Sequence, residues 1–262
     1  MHFTKYNGLG NDFIFLDGVT ALQVKEPAKL ARVLCNRYTG IGADGLILLL
    51  PSKIADIRMR ILNSDGSEAE MCGNASRCVP LHLHVTGLLT KKHITLETLA
   101  GLIDTQIVDE HKPLIEVNMG TPKEMAPLTV QVEGKTFTGM TVSMGNPHFV
   151  ILVDDVSTFP VEHWGPLLET HPAFVHKTNV EFVQVLNEKN VRMRVWERGA
   201  GITRACGTGA CATAAACISQ GLTQTPLTVK LDGGDLLIDW PDRKNILMTG
   251  PAQRVFEGDI DL

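Results

Sequence analysis

Apolar positions along this chain alternate with polar ones far more often than they recur at helical spacing. Ile57 to Leu62, Leu114 to Met119 and Val191 to Trp196 read in, out, in, out, the period of a half-buried strand. Phe13 to Leu16, Leu46 to Leu50 and Phe149 to Val153 are unbroken apolar runs of strand length. Ile94 to Thr98 and Leu102 to Val108 pair as a hairpin around Ala100-Gly101. Leu227 to Leu231 and Leu236 to Trp240 repeat it around Gly233-Gly234. Helical patterns are few. Glu26 to Tyr38 predicts one, with Pro27 in a tolerated first-turn position and Leu30, Val33 and Leu34 on one face. A short one follows from Trp164 to Glu169. Two more begin at Cys72 and Cys206. The first runs to about Gly87 with Pro80 inside it, where it costs a hydrogen bond. The second contains Ala212-Thr213-Ala214-Ala215-Ala216. Strands do not alternate regularly with helices, so a doubly wound sheet is excluded and an α+β fold is expected.

The pattern occurs twice. Cys72 and Cys206 stand at an offset of 134 (206 − 72), and the strands leading into them, Arg58-Met59-Arg60-Ile61 and Arg192-Met193-Arg194-Val195, keep it. Gly10-Asn11-Asp12-Phe13 has its counterpart in Gly145-Asn146-Pro147-His148-Phe149. Ile94-Thr95-Leu96-Glu97 has its own in Leu227-Thr228-Val229-Lys230. A period this long is no solenoid repeat; it implies a duplicated domain. We expect two pseudo-symmetric halves, each a mostly antiparallel sheet wrapped around a central helix, and each bringing one cysteine to a shared cleft. The first half spans 1–119 and the second 120–249, entered through Gly120-Thr121-Pro122. The second opens with strands and a long polar connection ahead of Met140 to Met144. The last strands, Ile246 to Met248 and Gln253 to Phe256, are expected to return the chain, over about 250–262, to the first half.

The length of 262 residues suits two domains of roughly 130. Net charge is −5, from 24 basic and 29 acidic residues without a basic run, which argues against nucleic acid as a partner. The N-terminus has no apolar signal-like core and no apolar run reaches ~18 residues, so a cytoplasmic protein without a membrane partner is expected. The six cysteines form no Cys-x-x-Cys pair, which removes the usual zinc and thioredoxin-like spacings. Cys35, Cys78, Cys211 and Cys217 read as small buried hydrophobes. His82, His84 and His93 lack spaced acidic or cysteine partners and read as structural or surface residues, so no metal site is expected.

The remaining two cysteines lie where glycine-rich loop gives way to helix former. Glu197-Arg198-Gly199-Ala200-Gly201 leads to Ala205-Cys206-Gly207-Thr208-Gly209, and Asn63-Ser64-Asp65-Gly66 leads to Glu70-Met71-Cys72-Gly73-Asn74. A helix N-terminus offers unpaired N–H groups and a positive dipole end, which favour a thiolate at Cys206 and suit a carboxylate ligand. Two thiols at equivalent helix ends can take a proton from one face of a carbon and return one to the other, inverting a stereocentre. The ordinary thiol pKa of ~8.5 is close enough to working pH for this task, and the two titrations would be coupled. His148 and Glu197, in loops that the repeat pairs with the site, are candidate tuners of the thiols. Backbone N–H groups of Gly73, Asn74, Gly207 and Thr208 are candidate carboxylate donors. Asn11 alone reads equally well as a turn cap, and its duplicate Asn146 tips the balance towards ligand binding.

These motifs, together with Asn7-Gly8-Leu9-Gly10-Asn11-Asp12-Phe13 and Met144-Gly145-Asn146-Pro147-His148, resemble the diaminopimelate epimerase family over nearly the whole chain. The resemblance implies interconversion of L,L- and meso-diaminopimelate, in lysine and peptidoglycan precursor synthesis, with no pyridoxal phosphate or metal as cofactor. It implies Cys72 and Cys206 as the catalytic acid and base. It implies Asn11, Asn63, Asn146 and Asn179 as substrate-binding residues, with Glu197 and Arg198 at the substrate's far end and a homodimer as the assembly. Gly45, Ala75-Ser76, Ile202 and Pro80 depart from common family patterns, which bears on selectivity for the distal group. Three other readings stand beside this one. The chain could be a racemase of another amino acid using the same cysteine pair. It could be a cysteine hydrolase with Cys206 as nucleophile and His148 as base, which leaves Cys72 and the duplication unexplained. It could be a non-catalytic binding protein on the same scaffold.

Overall fold

The computed structural model describes residues 1–109 and 111–261. The chain divides into two compact units, Met1–Val117 with Gly250–Leu262, and Asn118–Thr249. In the first unit β1 (His2–Gly8) and β2 (Asn11–Leu16) form a hairpin, followed by α1 (Gly18–Leu22), α2 (Pro27–Leu34), β3 (Gly45–Leu50), β4 (Ile57–Asn63) and the two-residue β5 (Glu68–Ala69). The central helix α3 (Gly73–Val85) precedes β6 (His93–Thr98), β7 (Gly101–Asp109) and β8 (Leu114–Asn118). The second unit holds β9 (Lys123–Val132), β10 (Lys135–Ser143), β11 (Pro147–Leu152), α4 (Val161–Glu169), β12 (Asn179–Asn187), β13 (Asn190–Glu197) and β14 (Gly201–Thr203). Its central helix α5 (Gly207–Ser219) leads to β15 (Leu227–Leu231), β16 (Gly234–Asp239) and β17 (Leu247–Pro251). The chain then ends in β18 (Gln253–Asp259), which pairs antiparallel with β1.

The two units share one strand plan. β2 runs parallel to β3 with Phe13 opposite Gly45, and β3 is antiparallel to β4. β11 runs parallel to β12 with His148 opposite Asn179, and β12 is antiparallel to β13. Parallel pairs β4–β6 and β13–β15 then join each ladder to its hairpin, β6–β7 or β15–β16. The fold is α+β and duplicated, with a mixed sheet in each unit.

Alternation along the strands sorts side chains to the two sheet faces. In the first unit Ile14, Leu16, Leu46 and Leu48 pack with Ala31 and Leu34 of α2. Phe15 points the other way, its ring centroid 5.4 Å from that of His82 on α3. In the second unit Phe149, Ile151, Val180 and Phe182 pack with Val161 and Leu168 of α4. That leaves His148 and Glu181 for the face towards α5. In α5 every residue from Gly207 to Ile218 except Thr208 is buried, and α3 is buried from Gly73 to Leu83. A helix buried on all sides needs small or apolar side chains all round, which explains the alanine run of α5.

Several local expectations are corrected. The helix expected over Glu26 to Tyr38 ends at Leu34, because the Asn36 side-chain oxygen accepts from the N–H groups of Tyr38 (2.9 Å) and Thr39 (3.0 Å) and offers the backbone a turn instead. The polar connection opening the second half is a long hairpin, β9–β10, turned by Glu133 and Gly134, both at positive φ. It reads as polar because most of β9 is solvent-facing. α1 has no counterpart in the expected elements. His82 is buried, with Nε2 2.8 Å from Asp17 Oδ2, a structural role.

Candidate active site

A cysteine occupies the N-cap position of each central helix. Cys72 and Cys206 are the N-cap residues of α3 and α5, both in extended backbone conformation, and both helices are 13 residues long. The asparagine that meets each helix end comes from a turn whose glycine requires positive φ: Gly10 (φ 89°) before Asn11 and Gly145 (φ 96°) before Asn146.

In the first unit the half-buried Cys72 thiol lies 3.8 Å from Asn11 Oδ1, which also accepts from Asn74 Nδ2 at 3.2 Å. Asn11 Nδ2 donates to Asp44 Oδ2 at 2.7 Å. Arg37 clamps this loop by donating to both Asp12 and Asp44, each at 2.7 Å, and Lys5 pairs with Asp12 at 2.8 Å. Burial pushes the Asp12 carboxyl up, but its bonds to Arg37 and Lys5 win and hold it at about 2. Behind Asn74, the fully buried Arg77 donates to Asn74 Oδ1 at 3.0 Å and to the Pro251 carbonyl at 3.2 Å. Asn63 stands apart from this cluster: it is exposed, and its amide donates to Ser67 Oγ at 2.9 Å within its own turn.

The second unit has a different interior. Cys206 is buried, and its sulfur accepts from Gly209 N–H at 3.3 Å and lies 3.6 Å from Thr208 Oγ1. Asn146 Nδ2 donates to Thr208 Oγ1 at 3.3 Å, and Asn146 Oδ1 lies 3.0 Å from His148 Nε2. His148 Nδ1 sits 2.7 Å from Glu181 Oε1, with both side chains fully buried. Glu197 accepts from Thr203 Oγ1 and from the Cys206 thiol. The Asn179 side chain bonds backbone on two sides: its Nδ2 donates to the Pro147 carbonyl (2.8 Å) and its Oδ1 accepts from Arg198 N–H (2.9 Å). The exposed Arg198 guanidinium donates to the His176 carbonyl at 3.1 Å.

At Cys206 the surroundings oppose the pull that a helix N-terminus exerts towards the thiolate. Burial pushes this thiol well above its ordinary range, and the carboxylates of Glu197 and Glu181 push it further. The Thr208 hydroxyl and the Gly209 N–H pull the other way and lose. A helix terminus is worth about 0.3–1 kcal/mol, up to ~2 in buried geometries, and here desolvation and two nearby carboxyl groups oppose it. Glu197 is itself raised, by burial first and by Glu181, against the opposing Thr203, Cys206 and His148 contacts.

The first unit thus gathers Asn11, Cys72, Gly73 and Asn74, and the second gathers Asn146, His148, Glu197, Cys206, Gly207 and Thr208. Sequence reasoning did not single out Glu181 or Arg77. The available signal was a charged residue inside an otherwise apolar buried segment, Val180-Glu181-Phe182-Val183 in one case and Ser76-Arg77-Cys78-Val79 in the other. Among the described residues no helix is long and apolar enough to cross a membrane.

The fold of these two units is one that recurs among solved structures. It matches the crystal structure of a Bacillus anthracis phenazine biosynthesis protein of the PhzF family over 100% of this chain and 99% of that one, with TM-score 0.74 and 19% identity. It matches a probable proline racemase from Agrobacterium radiobacter K84 over 100% and 93%, with TM-score 0.75 and 18% identity. Sequence is more specific. The pattern of the family described as diaminopimelate epimerase matches residues 3–125 and 140–255. The diaminopimelate epimerase of Pelotomaculum thermopropionicum is 50% identical over 99% of this chain and 98% of its own length, and that of Moorella thermoacetica is 48% identical over 100% of both. The chain belongs to the diaminopimelate epimerase family.

Proposed function

We propose that this protein epimerises L,L-diaminopimelate to the meso form, with Cys72 and Cys206 as its base and acid. Family membership carries the substrate and the reaction. The observation that supports the two-thiol chemistry is the capping of two equivalent helices by cysteine, each beside an asparagine from an equivalent turn. Cys72 as thiolate takes the α-hydrogen as a proton, and the electron pair left on carbon delocalises into the α-carboxylate. The Cys206 thiol then delivers a proton to the opposite face, leaving its sulfur as the thiolate. The reverse reaction exchanges the roles. The raised Cys206 pKa supports its assignment as the resting donor.

Under the same reading, N–H groups of Gly73, Asn74, Gly207 and Thr208 hold the reacting α-carboxylate and stabilise the charge that builds on it. Asn11, Asn63, Asn146 and Asn179 hold the polar groups of the substrate, and Glu197 and Arg198 meet its distal end. No pyridoxal phosphate or metal takes part. Homodimeric assembly and a cytoplasmic location belong to this reading as well. The test is to incubate reduced protein with L,L-diaminopimelate, without added cofactor, and resolve the stereoisomers. Formation of the meso form is expected. A folded, reduced protein that produces none, while racemising another amino acid, would contradict the substrate assignment.

A further inference from the structure

Glu181 is a buried carboxyl-bearing residue on β12 of the second unit. Its side chain is fully buried, and among the described residues its Oε2 has no hydrogen-bond partner. An uncompensated buried carboxylate oxygen is costly, and a position that keeps one calls for a reason. Its other oxygen makes two close approaches. One is the 2.7 Å contact to His148 Nδ1. The other is to Gly209, where an added Cβ would meet Glu181 Oε1 at 2.7 Å and Cys206 Sγ at 3.1 Å. The first turn of α5 is therefore pressed between the carboxylate and the thiol, and only glycine fits there. The other nitrogen of His148 faces Asn146 Oδ1, so both ring nitrogens lie against oxygen acceptors, and both donate only in the imidazolium form.

We propose that Glu181 is the positioning residue of this half-site, fixing the ring of His148 through Nδ1 and setting the reactivity of the Cys206 thiol from behind Gly209. The titratable groups that face it are His148 from β11, Glu197 from β13 and Cys206 at the head of α5. α5 also carries Cys211, buried further along. α4 packs against Val180 and Phe182 on the other sheet face, so its charges lie away from Glu181. The first unit has no such pair. The ladder positions equivalent to His148 and Glu181 are Phe13 and Ile47, both apolar.

The tests use Glu181→Gln, which keeps the shape and the acceptor for Nδ1 and removes the charge. The first reads the pH dependence of Cys206 alkylation by iodoacetamide, in a Cys72→Ser background and without substrate. Losing a negative neighbour should move alkylation to lower pH, with the melting temperature unchanged. A purely structural role would leave that profile where it was, and an unmoved profile would overturn the proposal. The second reading rests on the proposed epimerase activity. Turnover by Glu181→Gln should fall roughly tenfold or more, and the double variant with His148→Gln should lose less than the product of the two single losses. Losses that multiply would overturn the action through His148. If the unaltered protein turns over no diaminopimelate, the functional assignment fails, while the alkylation profile still decides the role of Glu181.

Discussion

The half-sites at Cys72 and Cys206 use one plan for two different interiors. Each places a thiol as N-cap of a 13-residue buried helix and meets it with an asparagine. Behind Cys72 the sheet presents Phe13 and Ile47, and the buried charge is Arg77, one turn deeper in α3 and bonded to Asn74. Behind Cys206 the same ladder positions present His148 and Glu181, and the position equivalent to Arg77 is the apolar Cys211. The position three residues after the cysteine is Ala75 in the first unit and Gly209 in the second. The lesson is that a helix N-terminus settles where a thiol stands, not what state it is in. Burial and the nearest charges act on the thiol as well, and at Cys206 they raise it.

The comparison can be broken in four ways, in order of expected effect. Cys72→Ser and Cys206→Ser should each lower epimerisation by roughly 10²–10⁴-fold, measured as initial rates at saturating substrate. A variant that keeps full activity would show that its half-site is not part of the chemistry. Next, Glu197→Gln removes one of the two carboxylates facing Cys206. Turnover should fall by about 10²-fold, and alkylation of Cys206 should move to lower pH.

The glycine–alanine difference gives the third test. Gly209→Ala drives a methyl group against Glu181 and Cys206 and should cost about 1–3 kcal/mol in urea unfolding. Ala75→Gly, where no carboxylate presses on the helix, should cost only about 1 kcal/mol through helix propensity. Equal losses would mean that Gly209 answers to the helix and not to Glu181.

The last test reads an alkaline limit shared by both units, which leaves turnover at neutral pH untouched. Burial raises Cys35 and Cys78 in the first and Cys217 in the second to about 12, and Cys206 rises with them. These thiols ionise near their ordinary pKa when unfolded and much later when folded. Above pH ~9 the unfolded chain therefore binds fewer protons, and stability falls as pH rises towards 12, by about 1.4 kcal/mol per pH unit for each such thiol. Melting temperatures should be flat from pH 7 to 8.5 and decline beyond. A flat profile to pH 11 would contradict the burial of these groups.

Much of the fold was legible because duplication prints twice. Offsets of 133 to 135 aligned strands, turns and cysteines from the sequence alone, and alternation identified the strands on either side. What escaped was local and polar. The Asn36 side chain ends α2 by competing for its backbone, a contest that apolar spacing does not register. The β9–β10 hairpin hid because most of β9 faces solvent and only its last residues, Leu128, Val130 and Val132, alternate inward. At the candidate site, Cys72, Cys206 and the paired asparagines stood out by motif and repetition. Glu181 and Arg77 did not, because they occur once each and break the duplication. Their signal was a charge inside a buried apolar segment, which becomes meaningful only when the opposing strand or helix is known. The two carboxylate neighbours of Cys206 were hidden for the same reason, since they come from β12 and β13, remote in sequence from the helix it caps.

The central claim is that two thiols, and not one, invert the α-carbon. The most direct test is proton NMR of L,L-diaminopimelate with reduced enzyme in deuterated water, followed at low conversion. Two separate proton carriers predict that newly formed meso product holds deuterium at its inverted α-carbon while the remaining L,L substrate stays unlabelled. Deuterium appearing in unconverted L,L substrate as fast as in product would mean that a single group both removes and returns the proton, and would contradict the account.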